Sequence, residues 1–149
     1  MELKDVLDRR CVAADVSADS KDAVLRELAA LAVKSPVLSD QGEDRIYQLL
    51  RDREDQGSTG FEAGVAIPHA SVDGVEEFVV GVLTTSRPVD FAAMDGKPSQ
   101  LFFFIIGPKA QRSRHVSLLS AISKVVRMKG RVDALTAAEN ADQLFDRTL

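Results

Sequence analysis

The sequence predicts an α/β sandwich in which helices cover a mixed sheet. Two observations carry this. Three short apolar segments, Val65 to Ile67, Phe78 to Thr84 and Leu101 to Ile106, read as buried strands, and the last two are rich in β-branched or aromatic residues. Segments of helical periodicity precede, punctuate and follow them.

The elements follow in order. Ser20 reads as the N-cap of a helix with Val24, Leu25, Leu28, Leu31 and Ala32 on one face, ended by Lys34-Ser35-Pro36. A second helix is expected to begin near Ser39-Asp40 and to carry Ile46, Leu49 and Leu50. Its charged tail, Arg51 to Asp55, runs into the loop Gly57-Ser58-Thr59-Gly60. The strand at Val65 meets Pro68, which lacks an N–H, so ladder pairing is expected to stop there with His69 at the strand end. Asp95-Gly96 marks a turn before the third strand, and Gly107-Pro108 is expected to stop that strand. A long helix carries His115, Leu118, Leu119, Ile122, Val125 and Val126, with Ser113 as its expected cap and Gly130 at its close. Short helices at Val132/Leu135 and Leu144/Phe145 finish the chain.

Composition narrows the function. The 149 residues suffice for one ordinary domain, and 45% hydrophobic with 28% charged residues is the balance of a soluble globular protein. A net charge of −4 argues against nucleic-acid binding and against an anionic membrane surface. Cys11 is the only cysteine, so no intrachain disulfide forms, which fits a cytoplasmic location. The N-terminus, Met1 to Asp5, has no apolar core of a signal peptide, and the Leu101–Ile106 run is too short to span a bilayer, so no membrane insertion is expected. Two histidines and one cysteine are too few for the usual structural zinc site. No Gly-rich nucleotide motif and no G-x-S-x-G elbow is present, so the sequence calls for no metal and no cofactor.

The remaining chemistry rests on few residues. A lone histidine is more often a capping or packing residue than a catalyst. His69, however, follows a proline, lies among the small residues Ala66 and Ala70, and is flanked by glycine loops that permit close approach of another molecule. A neutral imidazole is a good nucleophile near pH 7. His115 stands in the first turn of its helix, where unpaired N–H groups and the helix dipole favour an anion. Arg53 supplies a guanidinium fork for phosphoryl oxygens, and Ser58 and Thr59 are candidate hydroxyl or backbone donors beside it.

These residues resemble a family. Arg53-Glu54, Gly57-Ser58-Thr59-Gly60, Gly64-Val65-Ala66-Ile67-Pro68-His69, Val89-Asp90-Phe91, Asp95-Gly96-Lys97-Pro98, Gly107-Pro108 and His115 with Leu118-Leu119 are similar to the type-2 IIA domains of the phosphoenolpyruvate-dependent phosphotransferase system. That group comprises the mannitol/fructose-specific IIA domains and the nitrogen-regulatory IIA proteins. The resemblance implies a three-layer α/β sandwich, its mixed central β-sheet covered by helices on both faces, as a single domain over residues 1–149. It implies that His69 accepts a phosphoryl group from the phosphocarrier HPr and passes it to a IIB domain, with His115 and Arg53 beside it. The alternative within the family is a regulator whose phosphorylation state controls binding to target proteins. Either role is compatible with a chain that carries no IIB or membrane portion. Three residues depart from the family pattern: Ala63 replaces a polar side chain, Glu62 is expected to place a negative charge near the incoming phosphoryl group, and Val116 stands where leucine is more usual, a minor change for packing. Phe61 and Phe91 are candidates to line the docking surface, at least one of them being core.

Overall fold

The central strand has no polar face. In β5 (Ser99–Pro108), Leu101, Phe103 and Ile105 point to one side and Phe102, Phe104 and Ile106 to the other, all fully buried. Only a strand covered on both faces tolerates such a run. The computed structural model describes residues 2–149, and it places β5 between β4 (Val79–Val89), which is antiparallel to it, and two parallel segments, β2 (Val65–Ala66) and β3 (His69–Val72). On the far side, β1 (Leu7–Val16) pairs parallel with β4, which completes a mixed sheet.

Helices cover both faces, as expected. One layer is α2 (Lys21–Ala32) and α3 (Glu43–Asp55), which pack Val24, Leu25, Leu28, Ile46 and Leu50 against Phe102, Phe104 and Ile106. The other is a short α1 (Leu3–Val6) with α4 (Arg112–Arg127), α5 (Arg131–Thr136) and α6 (Ala141–Thr148). Its Leu118, Ile122, Val126, Leu135 and Leu144 meet Leu101, Phe103 and Ile105. The result is a three-layer sandwich. Ser20 caps α2 as expected, its hydroxyl accepting from the Ala23 N–H.

Several boundaries differ from expectation. The segment at Ser39 forms a single 3-10 turn, Ser39–Gln41, and α3 starts only after Gly42, whose φ of 83° breaks the helical path. The charged β1 was not expected: its exposed Arg9, Arg10 and Asp15 blur the alternation, and two register irregularities interrupt its pairing. Gly107 and Pro108 do not stop β5 but pair with Ser71 and Val72 at its end. Ser113 does not cap α4. Gln111 holds the N-cap position, and no side chain caps it. Gly130 sits beyond the end of α4, as the left-handed residue that starts α5. Phe91 is fully buried against Phe102, so it belongs to the core and not to a docking surface.

Pro68 interrupts the sheet edge without ending it. Val65 faces Leu101 and His69 faces Ile105, so β2 and β3 keep one register along β5. Proline removes a donor but not an acceptor, and the Pro68 carbonyl still accepts from the Ile105 N–H at 3.1 Å. His69 therefore opens a strand; the expectation that it closes one is corrected.

Gly107 lies under the ring of Phe78, where an added Cβ would stand 2.1 Å from Phe78 Cδ1. Gly107→Ala is expected to displace that ring and lower stability by about 2 kcal/mol. Urea unfolding with an unchanged m value checks this.

Candidate active site

The alternation that builds the core also aims His69. Val65, Ile67 and His69 share a strand face, and Val65 and Ile67 pack in the layer of α4. His69 therefore projects towards the start of α4, where His115 lies 8% exposed. The two rings meet edge-on with centroids 5.2 Å apart. Phe78 backs His115 from another side, its ring centroid 5.8 Å away. Because β2 and β3 form the sheet's outer edge, the end of α3 reaches the same place from the opposite layer and brings Arg53.

Arg53, His69 and His115 line one open cleft of about 540 Å³. Lys109, paired with Asp73 at 3.3 Å, and Arg112 add positive charge to its wall and Asp52 a negative one, while Leu49, Val116 and Leu119 form an apolar lip. Val116 is 57% exposed. A larger groove of about 860 Å³ runs by Asp8, Arg10, Glu76 and Arg114 but contains neither histidine.

The hydrogen bonds assign the two nitrogens of His69. Nδ1 lies 2.8 Å from the Ile67 carbonyl oxygen, which can only accept. Nδ1 therefore carries the proton, and Nε2 presents its lone pair. Burial lowers the pKa of His69 from its ordinary value and the Arg53 charge adds to this, against opposing effects of the Ile67 bond and Glu54. His115 is pushed down to about 4, by burial first and then by His69 and Arg53. Both rings are thus neutral at pH 7. The buried Nε2 of His115 has no hydrogen-bond partner, an unusual position for a group so enclosed.

Arg53 donates from Nη1 to the Gly57 carbonyl at 2.8 Å, which ties it to the loop after α3. Ser58 and Thr59 are not brought to the cleft. The Ser58 hydroxyl donates to the Phe91 carbonyl and accepts from the Gly60 N–H, while the Thr59 hydroxyl and N–H both donate to the Glu54 carboxylate. Their hydroxyls hold the loop together and do not face the histidines. Glu62 is also elsewhere, paired with Arg127 at 3.1 Å. Arg127 stands twelve residues after His115 on α4, about 18 Å along the helix, so Glu62 does not face the incoming group. Phe61 packs under Arg127, with the guanidinium carbon 5.2 Å from the ring centroid, and does not line the cleft. Sequence reasoning gave no site role to Glu54, Lys109, Arg112 or the lip residues. Lys109 and Arg112 flank the start of α4, which is the signal that points to them.

Residues 5–147 match the model described as phosphoenolpyruvate-dependent sugar phosphotransferase system, EIIA 2. The chain belongs to this family. A nitrogen regulatory protein of Pseudomonas aeruginosa is 35% identical over 131 residues, covering 88% of this chain and 84% of that protein. A PTS system fructose-specific EIIA component of Haloferax volcanii is 32% identical over 127 residues, covering 85% of this chain and 81% of that protein. Among solved structures, nitrogen regulatory protein IIA-Ntr of Neisseria meningitidis superposes with a TM-score of 0.86 at 27% identity, covering 97% of each chain. No helix of the described residues is long and apolar enough to cross a membrane.

The lowered pKa of His115 has a stability consequence. Between about 4 and its ordinary 6.5, the unfolded chain binds a proton that the folded site refuses. Stability is therefore expected to fall as pH drops through that window, by up to about 3 kcal/mol. His115→Gln removes this titration, so its unfolding free energy, followed in urea from pH 7 to pH 4.5, is expected to fall less steeply than the parent's.

Proposed function

We propose that this chain is a phosphoryl carrier of the phosphoenolpyruvate-dependent phosphotransferase system, with His69 as the acceptor. The observation that carries this reading is the division of the His69 nitrogens. Nδ1 is held by the Ile67 carbonyl, and Nε2 is free at the mouth of a cationic cleft.

In the proposed step, the Nε2 lone pair attacks the phosphorus carried by a donor histidine, in line with the bond that breaks. That bond's electrons return to the donor ring, which leaves neutral because its other nitrogen already holds a proton. The Nδ1 proton of His69 stays in place, and the Ile67 carbonyl stabilises the ring's positive charge. Arg53 and the first-turn N–H groups of α4, which no side chain caps, stabilise the equatorial oxygens. His115 donates from its otherwise unpartnered Nε2. Neutral histidines suit the task. A protonated His69 has no lone pair on Nε2, so burial and Arg53 keep the nucleophile available.

HPr is the donor this reading calls for. The phosphoryl group then passes to a IIB domain in fructose/mannitol-type uptake, or its presence governs binding to regulatory targets. The fructose-specific relative supports the first destination. The relatives called nitrogen regulatory proteins, together with a full-length fold match of the same description, weigh towards the second.

Intact-mass spectrometry after incubation with phosphoenolpyruvate, enzyme I and HPr tests the carrier reading. One acid-labile phosphoryl adduct is expected on the parent and none on His69→Ala. His115→Ala is expected to accept the group roughly 100-fold more slowly. An adduct that persists on His69→Ala with His115 modified would sink the assignment. Supplying a IIB domain afterwards separates the destinations: sugar uptake predicts rapid discharge of the adduct, regulation predicts its retention.

A further inference from the structure

We propose that Glu54 is a positioning residue that fixes the tautomer and orientation of the His69 ring through Thr59 and Ile67. The inference rests on the reading of His69 as phosphoryl acceptor. Glu54 follows Arg53 in the last turn of α3, but its side chain turns inward and is 2% exposed. One carboxylate oxygen accepts from the Thr59 N–H at 2.7 Å and lies 2.9 Å from Lys21 Nζ. The other accepts from the Thr59 hydroxyl at 2.6 Å. Thr59 is thereby held at both its backbone and its side chain.

The Thr59 carbonyl in turn accepts from the Ile67 N–H at 3.0 Å, and the Ile67 carbonyl takes the His69 Nδ1 proton at 2.8 Å. The links are contiguous and short. They form the outer side of the sheet edge, since β5 pairs with the strand from within. Ile67 and Pro68 lie between β2 and β3, outside the ladder of regular pairs. Here the Pro68 carbonyl keeps its bond to the Ile105 N–H of β5 on one side, and Thr59 adds a constraint on the other. A charge buried in this way is costly unless it is fully paired, and Glu54 is paired by three donors. Glu54 does not line the cleft and touches no reacting atom, so its effect must travel through the loop.

The test uses the full chain and ¹⁵N-resolved NMR of the ring nitrogens, with phosphoryl transfer from phospho-HPr measured beside it. Glu54→Leu removes both acceptors at similar volume, and Glu54→Gln keeps a carbonyl oxygen for the Thr59 N–H. Expected for Glu54→Leu are a His69 ring redistributed between tautomers and transfer slowed by tenfold or more, on the order of what misplacement costs. Glu54→Gln is expected to restore most of both. If Glu54→Leu alone fails to give a dispersed amide spectrum, Lys21→Met with Glu54→Leu replaces the whole pair by apolar side chains, a change that folds tolerate; the same shift is expected. A parent-like Nδ1–H tautomer in these folded variants overturns the proposal, as does a tautomer shift without slower transfer. Failure of the parent to take up phosphate sinks the acceptor reading alone, because the ring spectra still report whether Glu54 sets the tautomer.

Discussion

The 2.8 Å contact between His69 Nδ1 and the Ile67 carbonyl is the constraint around which the site is arranged. Its origin is the edge of the sheet. An edge strand leaves backbone N–H and C=O groups unpaired on its outer side, which is ordinarily a liability. At Ile67 both groups are used: Thr59 takes the N–H, and the imidazole two residues along takes the C=O. A central strand has no such carbonyl to offer. The same edge lets α3 from one layer and α4 from the other converge on one ring. Pro68 is tolerated here because the edge needs its carbonyl and not its missing donor.

The electrostatics follow from this placement. Burial and Arg53 act in the same direction on both histidines and favour the uncharged rings. The positive charge of the cleft therefore comes from Arg53, Lys109 and Arg112, with uncharged imidazoles beside them. Were the rings to supply the positive charge, Nε2 of His69 would hold no lone pair. Enclosing His115 lowers its pKa to about 4 and leaves its Nε2 without a hydrogen-bond partner, and both cost stability.

Much of the fold is legible because the core strands are extreme. β5 is apolar on both faces, and the α2 and α4 stripes are regular, so their existence and type follow from periodicity. β1 was not legible: Arg9, Arg10 and Asp15 occupy a bulged outer strand whose pattern matches neither helix nor strand. At the site, a short motif and its spacing single out His69, His115 and Arg53, and the fold brings these three to one cleft. Ser58 and Thr59 carry the right chemical groups, but hydroxyls bond to whatever acceptor the loop brings nearest. Here those acceptors are the Phe91 carbonyl and the Glu54 carboxylate. Sequence separation says nothing of that choice, since the first acceptor is 33 residues away.

On the proposed reading, a carrier and a switch place different demands on one cleft, and each finds a different feature in it. Its lip is apolar at Leu49, Val116 and Leu119, while its wall is cationic at Arg53, Lys109 and Arg112. Apolar area supplies partner binding of similar strength whatever the charge state of the ring. A phosphoryl group on His69 adds roughly −1.5 to −2 charges at the centre of that surface. It converts a cationic wall into one that is locally neutralised, so a partner that depends on the cations is released and one that depends on the lip is retained. On the proposed reading, the chemistry at His69 is the same in both roles.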